Sequence, residues 1–280
     1  MTAAASARAG ALTAPPGSWR TAWRVFWYGG RMSYGMLFNW ARPSIYIPTL
    51  IGGPTFQLLF FAALGSYASG RSPAYFAIGN AVQVSAVAGV FGMTMAIANE
   101  RWFGTLPALL ATPANRAALF AGRFLPFLAN GLVVSVYAFG VGIVLLGVRL
   151  EPASIGVVAL ALVVTVFSCT AIGALQGSIS LRLRDGLFGA NLLVLAFLLF
   201  CGVNIPLAEL PGWMQVVGNL LPFTHGLQAV RQAADGAGLD QVGGLILVEL
   251  LIGVIYAVLA FVLFRLLERS SRQNATLDVR

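Results

Sequence analysis

The stretch "LPGWMQVVGNLLPFTHGLQAV", Leu210–Val230, decides the topology of this chain. It carries no Asp, Glu, Lys or Arg, and it has the length of about 20 residues that a membrane-spanning helix needs. Pro211 and Pro222 divide it, however, and a proline inside a helix costs about 3 kcal/mol. Each half is too short to cross a bilayer. The stretch therefore predicts a pair of short helices rather than a span.

The composition around this stretch is that of a membrane protein. Of its 280 residues, 59% are hydrophobic and only 9% are charged, whereas soluble domains carry roughly 25% charged residues. The charged side chains are too few to cover a water-exposed surface, so most of the surface must face lipid. Charge-free runs of spanning length occur at Pro43–Gly70, Ser72–Asn99, Phe124–Val148, Pro152–Leu181 and Gly186–Ala208, and a run at Gln241–Phe264 is interrupted only by Glu249.

The distribution of the arginines along the chain distinguishes six spans from seven. All 17 basic residues are Arg, and they lie mostly between the apolar runs. With six spans and Leu210–Val230 on the outer side, 14 arginines lie inside, and only Arg71, Arg149 and Arg231 lie outside. This is the bias that sets orientation in membranes, and a seventh span would spoil it. We therefore predict an all-α protein with six spans (43–268), an outer re-entrant hairpin (206–236) and both termini in the cytoplasm.

The segments outside the spans predict three cytoplasmic features. Residues 1–18 and 269–280 have the composition of cytoplasmic tails, the first of them disordered. In residues 19–42 the aromatic side chains of Trp19, Trp23, Phe26 and Trp27 recur at helical spacing beside a face of arginines. This pattern indicates an amphipathic helix in the membrane interface; the alternative is a cytoplasmic helix packed on another subunit.

The third feature is "ERWFGTLPALLATPANR", Glu100–Arg116, in the first loop on the cytoplasmic side. Thr105 and Pro107 suit the start of a helix, and Thr112-Pro113 ends it. Leu106, Leu109 and Leu110 then share one face. An exposed apolar face of this kind either fits a partner's groove or rests in the membrane interface.

Two motifs together resemble a known family, the permease subunits of type-2 ATP-binding cassette (ABC-2) exporters. The first is similar to the family's coupling helix at Glu100, Arg101, Gly104, Thr105, Leu106, Leu109, Leu110, Thr112 and Pro113, over the segment 100–113. The second is similar to its outer hairpin at Pro206, Leu210, Pro211, Trp213, Leu221, Pro222, Thr224 and, beside them, His225. Pro107 departs from the pattern, because the family often has an acidic residue there.

The resemblance implies a bacterial plasma-membrane exporter for drugs, antibiotics or other amphiphilic molecules, with polysaccharide or lipid-linked glycan export as the alternative. It implies two ATPase subunits that carry ATP and Mg, and a second permease copy or a related permease. The chain has no Lys and hence no P-loop of its own. We expect no cofactor, metal or catalytic residue in this chain, and no nucleic-acid partner.

A few polar residues within the runs leave rival classes open. Glu249 is the one acid inside a run, and an intramembrane acid suggests either ion coupling or a structural partner in the outer hairpin. An ion-coupled secondary transporter, a membrane-embedded enzyme and a membrane anchor are the rivals. Cys169 and Cys201 suit small buried hydrophobes. The amides within or beside the runs suit helix–helix hydrogen bonds; they are Asn80, Gln83, Asn130, Gln176, Asn191 and Asn204.

Overall fold

The computed structural model describes residues 23–31, 43–102, 116–181 and 186–274. In these ranges every regular element is a helix, as the sequence predicts. We number the helices α1 (23–31), α2 (Pro43–Ser69), α3 (Pro73–Trp102), α4 (Arg116–Leu146), α5 (Ile155–Ser180), α6 (Gly186–Phe200), α7 (Gly212–Leu220), α8 (Thr224–Ala234) and α9 (Leu239–Asn274). Short 3-10 helices at Pro152–Ser154 and Leu207–Glu209 precede α5 and α7.

Four of the described helices are long and apolar enough to cross a membrane. They cover Pro73–Ala98, Phe120–Leu146, Pro152–Ser180 and Leu239–Leu267. α2 has 27 residues, with Pro48 and Pro54 inside it. The backbone of α9 stays helical to Asn274, within the segment that the sequence predicts as a tail.

α6 corrects the predicted run Gly186–Ala208. The helix ends at Phe200 after 15 residues, and at 1.5 Å per residue it is about 22 Å long, less than the hydrocarbon core. Gly202 adopts a positive φ of 79°, and Pro206 follows it, so the helix cannot continue. The composition of this run is apolar enough for a longer helix. The bend at residues 201–206 is set by its neighbours, as described below.

α5 lies at the centre of the bundle and packs against α3 and α9. The close approach to α3 depends on residues without side chains. A Cβ on Gly173 would lie 2.7 Å from the carbonyl oxygen of Val90, and one on Gly89 would lie 2.7 Å from Oγ1 of Thr170. Small residues at such contacts are the usual means of packing helices in lipid, where hydrophobic burial contributes nothing between helices.

Three connecting segments meet at one end of the bundle: the one between α2 and α3, the one between α4 and α5, and the one between α6 and α9, which contains the short helices α7 and α8. Arg71, between α2 and α3, forms an exposed ion pair with Glu209. Glu151, between α4 and α5, lies beside Gly236, which follows α8. These are the segments that the arginine count places on a common side. α1 packs against α4, where the carbonyl oxygen of Phe26 lies close to Gly122.

Candidate functional site

The candidate site is the helical hairpin formed by α7 and α8, together with the helices that hold it. α7 and α8 are joined by Leu221, Pro222 and Phe223. Phe223 has a φ of 104°, in the region that disfavours residues with a Cβ. Its buried ring stacks on Phe197 of α6 with centroids 5.5 Å apart, and this packing stabilises the strained turn. Thr224 donates its hydroxyl to the carbonyl of Gly218 at 2.5 Å, which links the two arms.

Glu249 of α9 caps the start of α8 from a neighbouring helix. Its Oε1 accepts a hydrogen bond from the backbone N–H of Phe223 at 2.7 Å, and its Oε2 accepts one from Gly226 at 3.0 Å. The hydroxyl of Ser168 on α5 also donates to Oε1. The first N–H groups of a helix lack partners within that helix and favour a negative charge. The fully buried Glu249 side chain meets both needs, as a capping side chain does.

The contacts with α9 show how deeply the hairpin is inserted. Helices rise 1.5 Å per residue, so Glu249 lies about 15 Å along α9 from Leu239, and Tyr256 lies about 25 Å along it. The Tyr256 hydroxyl donates to the carbonyl oxygen of Leu220 at 3.4 Å. The tip of the hairpin therefore lies beside the middle of a helix long enough to cross a membrane. Its non-helical backbone is covered by protein, as hydrocarbon requires.

The approach of α8 to α5 leaves no room for a side chain at Gly226. A Cβ there would lie 2.0 Å from Oγ1 of Thr165. The Thr165 hydroxyl is fixed by a hydrogen bond to the carbonyl of Ala161 at 2.7 Å. Gly226 also donates to Glu249, so the glycine brings its N–H within reach of the carboxylate.

Arg231 fixes the other end of α8 to the bend after α6. Its Nη1 donates to the carbonyl of Gly202 at 2.7 Å, and its Nη2 donates to that of Val203 at 2.6 Å. The guanidinium lies 3.8 Å from the centroid of the Tyr75 ring on α3 and also donates to the Tyr75 hydroxyl at 3.0 Å. Burial lowers the pKa of Arg231 to about 10, and Tyr75 opposes that shift, so the guanidinium stays charged near neutral pH. It supplies donors to two carbonyl oxygens of the bend after α6, which lie outside any helix.

The remaining residues of the predicted hairpin shape the course of the backbone. Pro206 and Pro211 directly precede helical turns, and Leu210 and Pro222 are buried. Trp213 is 63% exposed, and its ring meets the edge of Phe200.

His225 is half-buried, and within the described part of the chain its Nδ1 is buried without a hydrogen-bond partner. Neither proton transfer nor metal binding follows from this placement. His225 lies beside the residues that bind Glu249 and is part of the hairpin tip.

Most of the predicted coupling segment lies outside the described residues. The backbone of Glu100 and Arg101 belongs to the last turns of α3, which ends at Trp102. Gly104, Thr105, Leu106, Leu109, Leu110, Thr112 and Pro113 fall in the range 103–115, of which nothing is described. Their role stays a prediction.

Sequence reasoning missed three residues of this site. Arg231 counted only as a loop charge, although an arginine within an otherwise apolar, proline-broken stretch signals a buried partner. Ser168 and Tyr75 carried no signal, because serine and tyrosine are common in membrane helices. For Glu249, the structural partner in the hairpin is the alternative that the contacts support.

The family match covers both motifs and the predicted spans up to Ala208, and it ends before α9. A family model described as "ABC-2 type transporter" matches residues 32–234. Two relatives from Mycobacterium tuberculosis, strains CDC 1551 / Oshkosh and ATCC 25618 / H37Rv, bear the name "Probable doxorubicin resistance ABC transporter permease protein DrrC". Each is 26% identical to this chain over 210 residues, which cover 72% of this chain and 74% of the relative.

Proposed function

The chain belongs to the ABC-2 type transporter family, and on that basis we propose that it is the permease subunit of an ATP-driven exporter. The observation that carries the proposal is the extent of the family match. It spans residues 32–234 and so includes both the segment 100–113 and the hairpin. In this proposal the permease provides the path through the membrane, while ATP and Mg are bound by separate ATPase subunits.

The proposed topology has six membrane crossings in a bacterial plasma membrane. Five are formed by α2, α3, α4, α5 and α9, and the sixth is formed by the short α6 together with the bend that follows it. Both termini lie in the cytoplasm, and the hairpin enters the membrane from outside. Two observations support it. The basic residues divide 14 to 3 between the two sides. The segments that carry Arg71, Glu151 and the hairpin meet at one end of the bundle.

The complex would contain two ATPase subunits and two permeases, either a pair of this chain or this chain with a related permease. Residues 100–113 would dock in a groove of the ATPase through Leu106, Leu109 and Leu110. α3 runs without interruption from Pro73 to Trp102, so its last turn contains the first residues of this segment. A rigid helix of this length would carry a displacement at the ATPase to Asn80 and Tyr75, near the opposite end.

The proposed substrate is an amphiphilic or hydrophobic molecule such as a drug, an antibiotic or a lipid-like compound. The name of the two relatives refers to doxorubicin resistance, which makes doxorubicin the first compound to assay. Export of a polysaccharide or lipid-linked glycan is the second candidate within the family. An ion-coupled transporter would need an acid free to exchange protons, whereas Glu249 is buried and bound to three donors.

The test is co-purification from the source cells with and without a change in the docking face. We expect a P-loop ATPase to be isolated with the tagged chain in mild detergent, and the double variant Leu109→Asp/Leu110→Asp to release it and to stop transport. Ala108→Asp is the matched control, because it adds a charge to the opposite face of the same predicted helix. Purification of the chain with no ATPase, or intact transport by the double variant, would contradict the proposal.

A further inference from the structure

Four carboxamide side chains meet where α2, α3 and the bend after α6 come together. Gln57 of α2 donates its Nε2 to Oδ1 of Asn80 at 3.2 Å and to Oε1 of Gln83 at 2.8 Å. Asn80 of α3 donates its Nδ2 to the carbonyl of Phe76 at 3.0 Å and to Oδ1 of Asn204 at 2.9 Å. We call Gln57, Asn80, Gln83 and Asn204 the amide cluster.

The amide cluster has more hydrogen-bonding capacity than helix packing needs. Each carboxamide carries two N–H donors and a carbonyl acceptor. Within the described part of the chain, the nitrogens of Gln57 and Asn80 donate, whereas those of Gln83 and Asn204 donate to no other described group. One pair of amides would suffice to join α2 to α3. Donors without partners are costly in hydrocarbon, so the surplus indicates a ligand.

The cluster has a closed base and an open edge. Asn80 and Gln83 are buried, with 0% and 2% of their surface exposed, whereas Gln57 and Asn204 are half-buried. Apolar side chains flank the open edge. On α2, Phe56 is 75% exposed, and Phe60, one turn beyond Gln57, is 58% exposed. A molecule that reaches the amides can therefore place an apolar part against these rings.

The cluster is neutral, and this restricts the groups that it can bind. Arg231 of α8 is the cation that contacts the bend within the described residues, and both of its terminal nitrogens already donate to carbonyl oxygens. Carboxamides donate to and accept from hydroxyl and carbonyl groups without offsetting a charge. We propose that the amide cluster binds neutral hydroxyl or carbonyl groups of the amphiphilic substrate. This inference rests on the proposed function, which it deepens by assigning a place for the polar part of the substrate.

The position of Asn204 connects this site to the hairpin. The residue before it, Val203, accepts a hydrogen bond from Arg231 of α8. A ligand bound to Asn204 therefore contacts the same short bend that fixes the hairpin. The site and the hairpin share one piece of backbone, so binding and hairpin movement affect each other.

The test measures binding to the permease alone in lipid nanodiscs, so it does not depend on an ATPase. The probes are a dansyl-tagged dodecyl glucoside and the same molecule with each sugar hydroxyl replaced by a methyl group (the methylated probe), which removes both the hydroxyl donors and the hydroxyl acceptors. Binding is followed by dansyl fluorescence after subtraction of empty nanodiscs. We expect the wild type to bind the glucoside more tightly than the methylated probe, by about threefold for each hydrogen bond made.

The variants separate binding from packing. Gln57→Leu should weaken glucoside binding about threefold, and Gln57→Leu/Asn204→Leu about tenfold, so that the preference over the methylated probe is lost. Asn191→Leu is the matched control, because Asn191 is exposed on α6 and donates to its own helix at Leu187. It should leave both affinities unchanged. If the double variant fails to fold, Gln57→Met and Asn204→Ser, each at a half-buried position, replace it.

Equal binding of the two probes by the wild type would overturn the inference, as would an unchanged preference in the folded variants. Either result would leave the permease role intact if the ATPase still co-purifies with the chain. Loss of co-purification would instead refute the proposed function, whatever the glucoside measurement shows.

Discussion

The substitution Glu249→Gln tests whether the buried acid holds the hairpin in place. Glutamine has the same shape but replaces one carboxylate oxygen by an NH₂ group. If the NH₂ takes the place of Oε2, it faces the N–H of Gly226; if it takes the place of Oε1, it faces that of Phe223. In either orientation one N–H at the start of α8 loses its acceptor. The hydroxyl of Ser168 can rotate and avoids a similar loss.

The expected cost follows from these contacts. A buried N–H without an acceptor costs about 1–3 kcal/mol. Loss of the negative charge at the helix start adds about 0.3–1 kcal/mol. Together they give about 1–4 kcal/mol against the closed hairpin. At 1.4 kcal/mol for each factor of ten, the hairpin should open about 10- to 700-fold more often.

Hydrogen–deuterium exchange of the purified chain in detergent measures this opening. Peptides that cover Leu220 to Val230 should exchange faster in Glu249→Gln by that factor, while peptides from α4 should not change. Glu209→Gln is the matched control, because Glu209 belongs to the same segment but makes an exposed ion pair with Arg71. Exposed pairs contribute about 0–1 kcal/mol. Unchanged exchange at the hairpin tip in Glu249→Gln, or an equal effect of Glu209→Gln, would refute the reasoning.

Two further predictions concern the same hairpin. Arg231→Lys should lower stability by about 2–3 kcal/mol in thermal unfolding, because an ammonium cannot replace the paired donors or the stacking on Tyr75; no change would contradict the buried contact. Gly226→Ala should cost about 1–3 kcal/mol, and Thr165→Ala should restore part of it in a double-mutant cycle, whereas strict additivity would refute the clash.

The all-helical membrane fold could be read from the sequence because it depends on local composition. Long charge-free runs reflect how each segment meets lipid, without reference to any other segment, while the six-span count and the orientation that the arginines indicate stay predictions. For the same reason the prolines of Leu210–Val230 predicted two short helices, and the structure has α7 and α8 there. The docking role of residues 100–113 also came from sequence, and it stays a prediction.

The contacts that hold the hairpin were decided only by the tertiary structure. Glu249 finds its partners on α5 and α8, and Arg231 finds its own on α3 and the bend after α6. These partners are far apart along the chain, and ordinary serines, tyrosines and backbone groups supply them. The early end of α6 has the same origin, because the carbonyl oxygens of Gly202 and Val203 in the bend after it find their donors on Arg231 of α8. Hydropathy records whether a segment avoids water, but a buried polar group is stable only where another segment brings its partner.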